Sequence, residues 1–383
     1  MKIALGMIIR SFESEEIVLN FINNAKKYGH KIDCVIIAYT HNLCPEAADN
    51  LKKEVSFYPI DIKKPIFCKR QLAEHGMSVD DIHTLLESPV DTMRGLVPYG
   101  FNRNVVMIEA ILRGMDVLFF IDSDIYPRLL VKTHDGYMLQ EEDFFGAHLK
   151  HLREGAIITT SEYSGYNILP HAKFDGMENL LVGLQKSDML QYWQTSETHR
   201  CLSTQRAKRK PQKCSKILGG NVAVTLSAFK QLPPFYSTTH FVSGRMFLGR
   251  GEDTVLGLSV AKLGISCVDI DMHPLHDTYG RYTTEPDLKN DPIVQDRFFF
   301  ACTGWIGRNP YLNYVKGENT SEIRGFQRPH LEKGLRALSE YTSNPKFLGV
   351  LKNFDASWSS LERYIREYNH LLKAWESFTE RVL

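Results

Sequence analysis

A chain of 383 residues, 43% of them apolar and 24% charged, carries enough apolar material for a full core, as one large domain or two closely packed ones. Lys and Arg total 46 against 45 Asp and Glu, a net charge of +1, which excludes a polyelectrolyte binder and leaves electrostatic preference to local clusters. The seven cysteines stand singly with no Cys-x-x-Cys pair, so neither a zinc site nor a disulfide framework is indicated.

The first apolar run, Ile3 to Ile9, is too short for a secretory signal and reads as a buried strand. Helical spacing follows at Ile17, Leu19, Phe21, Ile22 and Ala25, and then a second apolar run from Cys34 to Ala38. Unbroken apolar strands alternating with helices predict a parallel sheet covered on both faces. Between residues 40 and 100 five prolines interrupt short helical pieces, with one more strand expected near Val55 to Ile60. A helix is predicted from Asn102 to Arg113, stopped by Gly114. The most apolar strand of the chain, Val117 to Ile121, comes next and runs straight into Asp122-Ser123-Asp124. Further strands are expected over Gly155 to Thr160, Asn221 to Thr225 and Ile265 to Ile270, with a helix over Asp253 to Leu263. The tail from Ala356 to Val382 reads as one long helix with an apolar stripe that includes Trp358 and Trp375. A packed structural helix is its simplest reading; a homodimer contact or peripheral membrane docking are the others. No stretch approaches the roughly 18 unbroken apolar residues of a spanning helix. The expected compartment is a reducing cytoplasm, with membrane association at most peripheral.

Ligands bind at the carboxyl ends of strands in open α/β sheets, so carboxylates at the end of the Val117 strand are well placed for chemistry. Two aspartates one residue apart can both direct oxygens to one hard cation, Mn²⁺ or Mg²⁺, whose open positions suit diphosphate oxygens. The bland alternative is a solvated turn. Gly251-Glu252-Asp253-Thr254 opens a helix, where carboxylates complement the helix dipole or, functionally, accept a proton from an acceptor hydroxyl or orient it. His273 and His276 follow the last predicted strand, and a neutral imidazole there completes a metal shell or is merely solvated. From Thr198 to Gly251 there is no Asp or Glu but ten basic residues, seven of them between Arg200 and Lys216. That stretch reads as a solvated basic loop, a lid over an anionic donor, or a patch for phosphate-bearing acceptors or a membrane surface. Gly219-Gly220 before the Asn221 strand either allows close backbone approach to a ligand or is only a turn.

In order and spacing these segments resemble the GT-A glycosyltransferases, in particular family 2 and mannosylglycerate synthase-like enzymes. The matching pieces are Ile9-Arg10-Ser11-Phe12-Glu13, the pair Arg103-Asn104, Asp122-Ser123-Asp124, Leu218-Gly219-Gly220-Asn221, Gly251-Glu252-Asp253-Thr254, and His276-Asp277-Thr278-Tyr279-Gly280. The resemblance covers residues 1–280 and implies a GT-A catalytic domain, with a nucleotide-binding half over 1–125 and an acceptor half over 126–280. Residues 281–383 are expected to form a mostly helical extension. It further implies transfer of a sugar from a nucleotide-diphosphate sugar to a hydroxyl. Asp122, Asp124 and His276 are the implied ligands of Mn²⁺ or Mg²⁺, with His276 favoured over His273. Arg10, Phe12, Tyr39, Arg103, Asn104, Ser123, Gly219, Gly220 and Asn221 are the implied donor contacts, and Asp253 or Glu252 the acceptor-side carboxylate. The second strand ends in Ala38-Tyr39-Thr40-His41 with no carboxylate, so both UDP- and GDP-sugar donors stay open. The acceptor also stays open, from a small hydroxy acid to a glycan, a protein or a modified nucleobase. Nucleotidyl transfer to a sugar phosphate is the competing enzyme class, but Arg10 to Glu16 lacks its glycine-rich loop. A non-catalytic sugar-nucleotide-binding protein is the remaining alternative.

Overall fold

The computed structural model describes residues 1–383 apart from 89, 91–95, 191–198, 201, 204–210, 271 and 383. Four of the seven basic residues between Arg200 and Lys216, those at 206, 208, 209 and 210, therefore lie outside the described residues.

The elements that build the site are, in chain order, β1 (Ile3–Phe12), α1 (Glu16–Lys27), β2 (Cys34–Leu43), α2 (Pro45–Glu54), β3 (Ser56–Asp61), α3 (Tyr99–Leu112) and β4 (Val117–Ile121). There follow β5 (Ile125–Thr133), β6 (Gly136–Glu141), α4 (Phe144–Arg153), β7 (Ile158–Thr160), β8 (Gln212–Lys213), β9 (Asn221–Thr225), α5 (Glu252–Lys262), β10 (Cys267–Asp269) and β11 (Pro274–His276). The chain ends in α6 (Pro292–Lys316), α7 (Thr320–Tyr341), α8 (Gly349–Ser359) and α9 (Leu361–Arg381).

Eight strands form the main sheet in the order β8-β10-β7-β9-β4-β1-β2-β3. Strands β1 to β4, β7 and β10 share one direction; β9 and β8 run against it. Because side chains alternate along a strand, the unbroken apolar runs feed two cores at once. Ile3, Leu5, Met7, Val117, Phe119 and Ile121 pack with α1 and α4 on one face. Ala4, Ile8, Leu118 and Phe120 pack with α3 and α9 on the other. The expected α/β architecture, a mainly parallel mixed sheet flanked by helices with a helical C-terminal part, is the one observed.

One feature departs from the sequence expectation. The tail is two helices, since the chain turns at Ser360 between α8 and α9. Its tryptophans are inside, in line with the packed structural reading: Trp358 packs among the C-terminal helices, and Trp375 lies in the core beside Phe378, its indole N–H donating to the Leu232 carbonyl at 2.7 Å. The apolar stripe considered for a homodimer or membrane contact is thus largely spent within the chain. Residues on both sides of position 280 share one core, in which Leu180 and Tyr279 meet Phe298, Trp305 and Leu331. No helix among the described residues is long and apolar enough to cross a membrane.

Candidate active site

The site is assembled by strand register. β4 is buried throughout and ends at Ile121, so Asp122 and Asp124 emerge at its carboxyl end. β9 pairs antiparallel with β4, Asn221 opposite Ile121, which sets Gly219 and Gly220 beside Asp122. β11 pairs antiparallel with β5, His276 opposite Ile125, and the Asp277 N–H donates to the Asp124 carbonyl at 2.8 Å. His276 is thereby brought to Asp124, with Nε2 to Oδ1 at 3.2 Å. His273 does not line the cavity.

Arg103, only 3% exposed on α3, bridges two acids. It donates to Asp122 Oδ1 at 3.0 Å and to the Glu252 carboxylate on α5. Burial raises the Asp122 and Glu252 carboxyls above their ordinary values, with Arg103 opposing the shift in both. At Asp124 burial opposes ionisation too, but His276 and Arg297 outweigh it and hold the carboxyl well below the usual range. Arg297, on α6, donates to Asp124 Oδ2 at 2.8 Å. The aromatic ring of Tyr163 lies against the His276 ring, centroids 4.8 Å apart, and its hydroxyl accepts from the Gly220 N–H at 3.0 Å.

The paired glycines have a local explanation. A Cβ on Gly220 would lie 2.4 Å from Asp122 Oδ2, and one on Gly219 would lie 2.5 Å from Arg103 Nη2. Both positions leave room for the charged side chains of the site itself. Gly219 N–H also donates to Asp253 Oδ2 at 2.9 Å, and Thr254 N–H to Asp253 Oδ1 at 2.7 Å, so Asp253 is fixed at the start of α5. Gly251 precedes it with φ 97°, a left-handed conformation that favours glycine.

These groups open onto a cavity of about 820 Å³. Arg10, Arg103, Asp122, Ser123, Asp124, Glu252, Asp253 and His276 line it. Phe12, Tyr39, Asn104, Gly219, Gly220 and Asn221 do not. Phe12 packs on Phe57 in the core. Asn104 exchanges two hydrogen bonds with the backbone of Phe235, at 2.9 and 2.8 Å. Asn221 donates to the Ser161 and Met272 carbonyls and meets His148 Nε2 at 3.0 Å, fastening the loops behind the site. Tyr39 stands opposite Asp61 at the end of β3, so a carboxylate does border the second strand, supplied by the third.

The sequence reading missed the opposite wall. It is mostly basic: Arg297 and Arg308 from α6, with Lys186 and Arg250, line the cavity together with Trp305 and one acid, Asp188. Lys186 lies 4.8 Å over the Trp305 ring, and burial, helped by Arg308, lowers its ammonium to about 8. Arg308 is buried; Nη1 donates to Thr254 Oγ1 at 3.1 Å and Nε has no partner. Spacings of eight and eleven residues put Arg297, Trp305 and Arg308 on one helix face, a signal present in the sequence. It was hidden because α6 is buried nearly all round.

Carboxylate oxygens are donors that suit Mn²⁺ or Mg²⁺, and an imidazole nitrogen beside them favours the softer of the two, Mn²⁺. Asp124 and His276 converge, while Asp122 is turned onto Arg103. Among the described residues no group of three His, Cys, Asp or Glu side chains is drawn together closely enough to hold an ion. The donor types fit a divalent cation, and Asp122, beside them, has one carboxylate oxygen engaged by Arg103.

Several solved structures are similar to this chain. One is a glucosyl-3-phosphoglycerate synthase from Mycobacterium tuberculosis in complex with Mn²⁺ and UDP-glucose, 12% identical, covering 82% of this chain and 80% of that one at a TM-score of 0.41. The same enzyme with phosphoglyceric acid is 12% identical over 82% and 81%, at 0.39, and a further mycobacterial protein is 11% identical over 82% and 76%, at 0.41. No protein-family model and no curated protein matches the sequence. A likeness at this level concerns the course of the chain; the chemistry rests on the residues of the cavity.

Proposed function

We propose that the protein is a metal-dependent glycosyltransferase that moves a sugar from a nucleotide-diphosphate sugar to a hydroxyl on an anionic acceptor. The observation that supports it is the convergence of Asp124 and His276 beside Asp122, at the carboxyl end of β4 on a deep cavity. Asp124, His276 and a released Asp122 would hold Mn²⁺ or Mg²⁺, which when bound supplies charge neutralisation for the departing diphosphate. Ser123 and Arg10 line the donor side, and Tyr163 holds the His276 ring in orientation.

Of the two acidic residues on α5, Glu252 is engaged by Arg103 and positions it. Asp253 is the carboxylate assigned to the acceptor: it accepts the hydroxyl proton if transfer inverts the anomeric centre and orients the hydroxyl if transfer retains it. The cationic wall of Lys186, Arg250 and Arg308 favours an acceptor carrying a carboxylate or phosphate. UDP- and GDP-sugars both remain donors under this reading.

Calorimetric titration of Mn²⁺ into the wild type, Asp124→Asn and His276→Ala tests the metal site, with donor hydrolysis of UDP- and GDP-sugars followed in parallel. The expected result is Mn²⁺ binding by the wild type, weakened in both variants, and Mn²⁺-dependent release of one nucleoside diphosphate. Equal Mn²⁺ affinity in all three proteins, together with no turnover of any donor, would sink the proposal.

A further inference from the structure

Cys214 and Cys267 lie 53 residues apart in sequence and meet at the edge of the main sheet. β8 pairs antiparallel with β10, Gln212 opposite Asp269 and Lys213 opposite Val268, so the next position of the register sets Cys214 across from Cys267. The Cys214 N–H donates to the Cys267 carbonyl at 3.0 Å, and the two Sγ atoms are 3.4 Å apart. A disulfide needs sulfurs at about 2.05 Å, and residues directly opposite on paired strands fall within the backbone separation it tolerates. Side-chain rotation closes the remaining gap.

The two thiols are unequal in a way that suits sequential oxidation. Cys214 is partly exposed and Cys267 is buried. The Cys267 thiol, hydrogen-bonded to Cys214, holds the Cys214 thiol below its ordinary value, which favours the thiolate at the accessible position. Cys68, by contrast, is buried and donates to Glu109 at 2.8 Å. The segment after Cys214 leads into the cavity: Lys216 pairs with Glu162, Leu218 lines the wall, and Gly219 N–H holds Asp253.

We propose that Cys214 and Cys267 form a reversible disulfide under peroxide, a redox modification site that fixes the edge strand leading into Lys216 and Leu218. The Cys214 thiolate attacks a peroxide oxygen, the O–O bond breaks, and after protonation the products are a Cys214 sulfenic acid and water. The Cys267 sulfur then attacks the sulfenic sulfur, its proton leaving with the hydroxyl as a second water. Two thiols lose two electrons, one peroxide gains them, and a dithiol reductant restores the pair.

The full chain is treated with hydrogen peroxide, alkylated under denaturing conditions and digested without reductant. The expected result is a peptide joining positions 214 and 267, absent after dithiothreitol treatment. Cys267→Ser is expected to give no joined peptide and to leave Cys214 as a sulfenic acid that dimedone traps. Amide exchange over 211–220 is expected to slow in the oxidised wild type and to be unchanged by peroxide in Cys214→Ala. A digest in which peroxide modifies Cys214 without any 214–267 link, or links it to another cysteine, overturns the site. Unaltered exchange in linked protein overturns the claim that the bond fixes the strand. Neither readout depends on the sugar-transfer reading.

Discussion

Along one wall of the cavity main-chain pairing places each side chain, whereas along the other helix packing does. The strand-edge wall is acidic: β4 delivers Asp122 and Asp124, and the pairing of β11 with β5 delivers His276. The helical wall is basic: α6 delivers Arg297 and Arg308, and Trp305 carries Lys186. Among the described residues the walls are joined by the ion pair of Asp124 with Arg297, while Arg103 joins Asp122 to α5. Register fixes a residue to within a fraction of a strand step, so the edge wall suits an ion that tolerates little error. A helix face spreads charge more loosely, which suits an anion of variable shape.

The sharpest way to break this division is Asp124→Asn. If the edge wall carries the chemistry, sugar transfer falls by about a hundredfold or more, because a Lewis-acid site contributes several kcal/mol to such a step. A steady-state assay read beside a circular-dichroism melt separates this from unfolding. Retention of more than about a tenth of the activity would remove Asp124 from the reaction. Glu252→Gln probes the junction through stability instead. Arg103 would be left buried with Asp122 as its remaining ion-pair partner, and breaking a buried pair from one side costs about 3–5 kcal/mol. Urea denaturation measures it; a loss under about 1 kcal/mol would mean the guanidinium finds other partners.

The same division separates what was legible in the sequence from what was not. β4, β9 and α5 were predicted nearly to the residue, since an apolar run ending in charge, a glycine pair and an acidic helix start are local signals. His276 was assigned to the metal from a resemblance, and its path to Asp124 became physical only with the β5 and β11 pairing. Asn104 and Asn221 were grouped with the donor contacts, yet both satisfy buried backbone groups, a use that chain neighbours do not reveal. Cys214 and Cys267 looked solitary because an edge strand joins them across 53 residues. α6 was placed only in a helical extension, for a helix buried on nearly all sides has little amphipathic period to read.

Gly220→Ala asks how tightly the edge wall is built. The added Cβ would meet Asp122 Oδ2 at 2.4 Å and Ile125 Cδ1 at 2.6 Å, an overpacking that typically costs about 1–3 kcal/mol. The carboxylate is the softer neighbour, so Mn²⁺ affinity is expected to drop along with the melting temperature. An unshifted melt and unaltered metal binding would show that the edge tolerates displacement after all.

The smallest effect tests the helical wall. Burial lowers the Lys186 ammonium to about 8, so its charge is present below that pH and lost above it. An acceptor carboxylate or phosphate meets the ammonium only in the charged form. kcat/KM for the acceptor is therefore expected to fall as pH rises through about 8. Donor hydrolysis without acceptor should lack that step, because Lys186 is assigned to the acceptor and not to the donor. Lys186→Met should remove the step and lower kcat/KM to roughly the high-pH value, about tenfold for one charge-assisted hydrogen bond. Lys186→Arg should keep the affinity and abolish the pH dependence, since a guanidinium stays charged. If Lys186→Arg still shows the step, the titrating group is elsewhere and the wall does not read acceptor charge through Lys186.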